Sequence, residues 1–246
     1  MLYGAGLRNN LGEHMFKKIT CLGVVLISFG AFAATPNSVV KRLLSNDITI
    51  QDAAIEDVKK MNSDEKKAVV AEVVNVLQGC DDAGARRSAQ VFMALENETD
   101  LPFDALEAAI LGNNDRFRRN STFSLTIIQH VPSKIVDALI KALGRSDDKF
   151  CDWEHADHIP DVRNCSSAAE ALAYISPVDK SIVARLSVVL DNGDKTSKGN
   201  AAFALGMIGP EAATVVPQLE KINTEKSIWL KSNVDFALER IKVKQE

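Results

Sequence analysis

The sequence predicts an all-α fold in which antiparallel helical hairpins stack on one another. Apolar residues recur with helical spacing and nowhere alternate with the period of two that β-strands show. The segment 200–222 contains a helix, a turn and a second helix, and its outline recurs elsewhere in the chain at a nearly constant offset. Because one such helix pair does not bury its own apolar side, several pairs are expected to stack.

The segment 200–222 shows the hairpin most clearly. Small and straight-chain helix formers fill its first half, and Gly206 and Gly209 are expected to end the first helix. Pro210 suits the first turn of the second helix. In that helix an apolar residue recurs every three positions. The pattern predicts one buried stripe formed by Ala213, Val216, Leu219 and Ile222.

The repeats are in phase along the carboxyl-terminal half of the chain. Residues 171–177 match 204–210 at an offset of 33, and residues 236–238 match 203–205 at the same offset. Residues 126–132 match 171–177 only at an offset of 45. The difference places about 12 additional residues between Leu143 and Asp161. We therefore predict an inserted loop at about 145–160.

The helices can be assigned in order from the periodicity and from the polar turns. The predicted helices cover 38–45, 50–61, 64–78, 83–96 paired with 102–111, 115–129 paired with 132–143, 161–175 paired with 178–190, 196–208 paired with 210–222, and 226–242. The turns Asn113–Asp115, Asp191–Asp194 and Asn223–Glu225 offer capping side chains. No linker rich in proline, glycine or serine interrupts the array, so residues 34–246 are predicted to form a single domain.

The residues of the best repeat unit also resemble a known family. The stretch Ala201–Pro210, with Pro217 beyond it, resembles the HEAT repeat family, and in particular the short bacterial HEAT-like repeats related to those of phycobilisome lyases. The resemblance is strong at 198–222 and weaker at 162–190 and 228–241. It implies a right-handed α-solenoid. Because related repeats occur in bilin lyase systems, it also raises a lyase-like function as a hypothesis.

The amino end of the chain predicts export. Lys17 and Lys18 follow Met15, an apolar run covers residues 19–29, and Ala31–Ala33 is a small-x-small site. We expect a signal peptide at 1–33, with the true start at Met15 and cleavage after Ala33, and a periplasmic or secreted mature chain. The apolar run is shorter than the roughly 20 residues that a membrane span needs, so no stable span is expected in the mature chain. The alternative is a buried amino-terminal helix.

The charge balance restricts the class of partner. The whole chain carries −4, and residues 1–33 carry +2 because Arg8, Lys17 and Lys18 outnumber Glu13, so the mature chain is more acidic still. We expect no nucleic-acid partner for such a chain. One local basic cluster either serves an anionic partner or is a solvated helix start. It consists of Arg116, Arg118 and Arg119.

The insertion concentrates residue types that support chemistry. Cys151 and Cys165 are predicted to form a disulfide in an oxidising compartment, closing a loop of about 15 residues. Alternatively, both cysteines bind Zn(II) together with His155 and His158, since soft sulfur and borderline nitrogen suit that ion. A third interpretation makes these ordinary surface residues. Trp153, with the two histidines, is the candidate contact for a ligand or partner in this loop.

The remaining candidates favour binding over catalysis. Cys80 is expected to be a buried free thiol, with pairing to a partner chain as the alternative. His130 lies near a helix end and is expected to interact with free carbonyls. The sequence contains no Gly-x-Ser-x-Gly or His-Glu-x-x-His motif.

Three functional hypotheses follow from these features. The first is a non-enzymatic scaffold without a cofactor, which binds a protein or peptide on the concave face of the second helices. The second is a small-molecule or metal-binding module, lyase-like in activity, centred on the insertion. The third is a purely structural role, in which the array holds an envelope complex together and the disulfide stabilises it.

Overall fold

The computed structural model describes residues 36–145 and 167–242, apart from residues 98, 129, 176, 178 and 180. The described residues all belong to one compact unit. Every regular element in the described residues is a helix, in agreement with the predicted all-α class. No described helix combines the length and the apolar character that crossing a bilayer requires.

The helices lie close to their predicted positions. Their bounds are α1 Pro36–Leu43, α2 Ile48–Lys59, α3 Ser63–Leu77, α4 Asp82–Leu95, α5 Phe103–Leu111, α6 Asp115–Leu125, α7 Ser133–Ala142, α8 Ser167–Ile175, α9 Ser181–Asn192, α10 Lys195–Ile208, a 3₁₀ helix Gly209–Val215, α11 Val216–Leu219 and α12 Ile228–Lys242. The predicted turns supply caps. Oδ1 of Asn114 accepts a hydrogen bond from the backbone N–H of Phe117 at 3.0 Å, and Oδ1 of Asp194 accepts one from the backbone N–H of Ser197 at 2.7 Å. The hydrogen bonds from the Ser197 backbone and side chain lower the pKa of the Asp194 carboxyl.

The helices pack in the order of a helical-repeat solenoid. We call α4, α6, α8, α10 and α12 the first helices, and each packs on the next one in this series. The second helices are α5, α7, α9 and the 3₁₀ helix continued by α11; α5 packs on α7, and α9 packs on both parts of the last member. The two series meet where α5 contacts α6, α7 contacts α8 and α9 contacts α10. Phe92, Leu139 and Phe203 are fully buried in the core that these helices share.

The second half of the best-matching repeat differs from the prediction. Instead of one α-helix over 210–222, a 3₁₀ helix covers Gly209–Val215, and only Val216–Leu219 is α-helical. Pro217, in the first turn of α11, has no N–H with which to continue a helix from the preceding turn. Ala212 also leaves helical backbone, at φ −91° and ψ 15°. The segment therefore changes its helical period within two turns.

This change of period shifts the buried stripe. Ala212, Val215 and Leu219 are buried, whereas Ala213, which the regular spacing placed in the stripe, is exposed. Ala212 and Val215 are one 3₁₀ turn apart, and Leu219 follows after one α-helical turn. The predicted stripe is thus correct at Leu219 and wrong at Ala213, because the prediction assumed one continuous α-helix.

Two glycines at the end of α10 have different structural roles. Gly209 adopts φ 77° and ends α10, as expected. Gly206 does not end the helix but lies inside it, so this part of the prediction is wrong. A Cβ atom at Gly206 would lie 2.6 Å from the Phe236 ring and 3.0 Å from Cα of Ala237. The absence of a side chain allows α10 and α12 to approach each other closely.

Three buried asparagines occupy the same place in their helices, six residues after the capping residue. They are Asn120 of α6, Asn200 of α10 and Asn233 of α12. Nδ2 of Asn120 donates to the carbonyl oxygen of Leu77 at 2.9 Å, and Nδ2 of Asn200 donates to that of Leu143 at 2.8 Å. Each of these two bonds joins a first helix to the carboxyl end of the helix three elements earlier. Nδ2 of Asn233 has no hydrogen-bond partner.

Candidate functional site

The predicted insertion site lies outside the described residues. This applies to Cys151 and Cys165, to Trp153, and to His155 and His158. The predicted disulfide and the alternative zinc site therefore stay predictions. The same is true of the signal peptide at 1–33.

The three arginines of the basic cluster do not share one surface. Arg118 is 1% exposed, and its guanidinium donates to the carbonyl oxygen of Gly112 at 3.0 Å and to Asp115 Oδ1 at 2.7 Å. Arg116 is exposed and Arg119 is half-buried. Arg118 is therefore not available to an anionic partner, because it fastens the turn between α5 and α6. The sequence signal for this role is Asp115, three residues earlier on the same helix face.

Cys80 lies three residues after the end of α3 and is a half-buried free thiol. Its Sγ accepts a hydrogen bond from Nδ2 of Asn120 at 3.3 Å. Burial raises the pKa of the thiol, and the negative charge of Asp81 raises it further. The thiol is therefore mostly protonated at neutral pH, and we assign it no nucleophilic role.

His130 contacts a carboxylate, not the helix-end carbonyls that the sequence suggested. Glu96 Oε1 accepts the backbone N–H of His130 at 2.7 Å and lies 3.1 Å from its Nδ1. The imidazole is 77% exposed. The position of His130 near a helix end suggested the free carbonyls of that helix as its partners. The fold instead places the carboxylate of Glu96, at the end of α4, beside His130.

Charged pairs join consecutive second helices. Lys134 of α7 forms an ion pair with Asp104 of α5 and lies 4.0 Å from Glu107 of the same helix. Arg185 of α9 forms an ion pair with Asp137 of α7. Cationic and anionic groups therefore alternate from α5 through α7 to α9. Each exposed pair contributes at most about 1 kcal/mol to stability, so these pairs matter here as the charge pattern of the surface.

A further set of hydrogen bonds extends the series from α9 to α11. Nε2 of Gln218 lies 2.7 Å from Oγ of Ser187 and 3.0 Å from Oδ2 of Asp191. We call the exposed side chains of α5, α7 and α9 the second-helix face. Its polar groups come from three helices that follow one another in the array.

The second-helix face also contains exposed apolar side chains. Leu111 of α5 is 39% exposed and Val188 of α9 is 58% exposed. Ala108 and Ala184, near them on the same helices, are also exposed. A surface that mixes large apolar groups with ordered charges suits contact with another polypeptide.

The described residues contain no group of three or more histidine, cysteine, aspartate or glutamate side chains placed to hold a metal ion. On the second-helix face, Lys134 lies within 4.0 Å of both Asp104 and Glu107, Arg185 pairs with Asp137, and Gln218 donates to Asp191. What this face offers is therefore hydrogen bonding, charge and apolar contact.

The packing order defines the class as a helical-repeat protein. No protein-family model matches the chain, and no curated protein matches it. Two solved structures are similar to it over most of their length. One is an engineered protein from the Northeast Structural Genomics Consortium, at 19% identity and a TM-score of 0.34, covering 84% of this chain and 98% of its own. The other is a designed armadillo repeat protein, at 15% identity and a TM-score of 0.32, covering 84% of this chain and 99% of its own.

Proposed function

We propose that this chain is an exported, non-enzymatic scaffold that binds a protein or peptide on its second-helix face. Its architecture in this proposal is a right-handed, HEAT-like stack of antiparallel hairpins. The short repeat offset, the polar turns and the order of helix packing support it. The HEAT-like residues at 201–210 support the choice of family.

One observation carries the proposed binding role, namely the series of ion pairs that connects α5, α7 and α9. Paired side chains lose less freedom on binding than free ones, so an ordered face is better prepared to bind than a mobile one. Leu111 and Val188 add apolar area beside those charges. A folded polypeptide or a peptide presents both kinds of group.

The proposed location is the periplasm or the exterior of the cell. It is supported by the basic start, apolar run and small-x-small site between Met15 and Ala34. Export would place the partner in the same compartment. The partner is therefore best sought in a fraction of the cell envelope or in the medium.

Affinity capture with matched variants tests the binding role. The wild-type mature chain is expected to retain one polypeptide in a fixed stoichiometry, and V188E and L111E are each expected to weaken that complex about tenfold or more, because a buried carboxylate replaces apolar contact. M93E and Y174E are the controls, since Met93 and Tyr174 are 46% and 44% exposed on first helices. These controls should retain the partner.

Equal loss with all four variants, or none with any, contradicts binding on the second-helix face. A parallel variant in which His155 and His158 are both alanine separates this proposal from the alternative. Loss of the partner in that variant alone would move the binding site to the insertion.

A further inference from the structure

A cavity of about 490 Å³ lies between the turn that follows α9 and the segment that precedes α12. Four lysines line it, namely Lys195, Lys198, Lys221 and Lys226, together with one carboxylate, Asp191. Leu190 and Leu230 contribute apolar surface. The volume falls within the range of small-molecule sites, which is roughly 300–1,000 Å³.

The single carboxylate does not neutralise these lysines. Oδ2 of Asp191 accepts a hydrogen bond from Nε2 of Gln218 at 3.0 Å, and Nζ of Lys198 is bonded to the backbone oxygen of Asp191 at 3.1 Å. Within the described residues, the ammonium groups of Lys195, Lys221 and Lys226 make no hydrogen bond or ion pair. Three lysines with no hydrogen-bond or ion-pair partner among the described residues therefore line one cavity that is open to solvent.

A buried asparagine on α12, the helix whose Leu230 lines the cavity, lacks the bond that two other asparagines make. Asn120 and Asn200 each bond the carboxyl end of the helix three elements earlier. For Asn233 the corresponding helix is α9, counting the 3₁₀ helix and α11 as one element, and the last residues of α9 line the cavity. Asn233 is 1% exposed, its Nδ2 has no partner, and it lies one turn after Leu230 on α12. The side-chain bond that Asn120 and Asn200 make to an earlier helix is therefore absent at Asn233.

We propose that this cavity binds a small polyanion with at least two phosphate or carboxylate groups. A cleft lined by charge of one sign concentrates counter-ions, and its apolar walls strengthen the attraction. The three lysines come from α10, from the residues after α11 and from the segment before α12, so they surround a ligand from different sides. The site shares Asp191 of α9 with the second-helix face, but its lysines all lie outside α5, α7 and α9.

Isothermal titration calorimetry of the purified full chain at low ionic strength tests this site, with pyrophosphate and citrate as probes. Binding of either probe supports the proposal, and comparison of the two separates phosphate from carboxylate recognition. The double variant K221Q/K226Q is expected to bind at least about tenfold more weakly, since each charged hydrogen bond contributes about 1.5–3 kcal/mol. The variant K60Q/K67Q makes the same change of charge on exposed residues elsewhere and is expected to change the affinity less than about twofold.

Three results would overturn the proposal. The first is the absence of binding heat with both probes. The second is equal weakening in K60Q/K67Q, which would mean a general charge effect. The third is binding of a six-residue glutamate peptide without binding of either probe, which would make the cavity a peptide site. Circular dichroism of both variants checks that the helices remain formed.

Discussion

Glycine and aromatic residues match each other across the contact between α10 and α12. A Cβ atom at Gly199 would lie 2.2 Å from the ring of Trp229, and one at Gly206 would lie 2.6 Å from that of Phe236. Gly199 and Gly206 are seven residues apart, as are Trp229 and Phe236, so both pairs recur after two helical turns. The Phe236 ring also stacks on Phe203, with centroids 5.5 Å apart. Two missing side chains thus create the space that two rings fill.

The variant G206A tests this packing. The added methyl group meets the ring of Phe236 and the backbone of Ala237, and overpacking of this kind costs about 1–3 kcal/mol. The higher helix propensity of alanine offsets up to about 1 kcal/mol. We expect a net loss of about 1 kcal/mol in the free energy of unfolding, measured by urea denaturation.

G79A is the matched control, because no atom beyond its two chain neighbours lies within 4 Å of a Cβ at Gly79 and its φ is not positive. It should leave stability unchanged or raise it by up to about 1 kcal/mol. If G206A is as stable as G79A, the close approach of α10 and α12 does not depend on glycine.

At the scale of elements, two buried asparagines link helices that are not adjacent in sequence. Asn120 donates to the carbonyl oxygens of Leu77 and Cys80, at 2.9 Å and 3.2 Å. The last carbonyls of a helix have no partner inside the helix, so an external donor satisfies a group that is otherwise buried and unpaired. Asn200 does the same for Leu143.

The variant N120L tests how much the hydrogen bonds donated by Asn120 contribute to stability. Leucine has a similar size but no donor, so the carbonyl of Leu77 loses its bond from this side chain, at a cost of about 1–3 kcal/mol. N75L is the control, because Asn75 is exposed on α3 and bonds only its neighbour Glu72. Thermal unfolding of both proteins measures the difference, and an equal melting temperature would count against the link.

The elements themselves were largely predictable from sequence, for local reasons. Capping residues such as Asn114 and Asp194 and the three-to-four periodicity act within a few positions, so helix bounds follow closely. The 3₁₀ segment was not predicted, because a regular spacing of apolar residues does not reveal where Pro217 interrupts the hydrogen bonds. Arg118 looked accessible for a similar reason, since its burial depends on tertiary packing around α6.

At the scale of the whole molecule, each helix depends on its neighbours in the array. Such repeats share one continuous core, so a change in one interface is felt mainly by the adjacent helices. The all-helical fold class could be predicted from the sequence because the repeat pattern recurs. For the second-helix face, the sequence predicted which helices form it but not its ion pairs, because these join α5, α7 and α9 across 30 to 48 residues of sequence. The lysine cavity has no local motif at all.

Intact mass spectrometry of the mature protein tests export and the insertion together. We expect a chain that begins at Ala34 and is lighter than its reduced form by two hydrogen atoms, with Cys151 linked to Cys165.

Closing a loop of about 15 residues contributes about 3 kcal/mol by restricting the unfolded chain, so reduction should lower the melting temperature by on the order of 10 °C. C80S should keep this shift and C151S/C165S should lose it, since only the second variant removes the bridge. Free thiols with a retained zinc ion would instead establish a metal site in the insertion, and a chain that keeps residues 15–33 would show that the signal peptide is not removed.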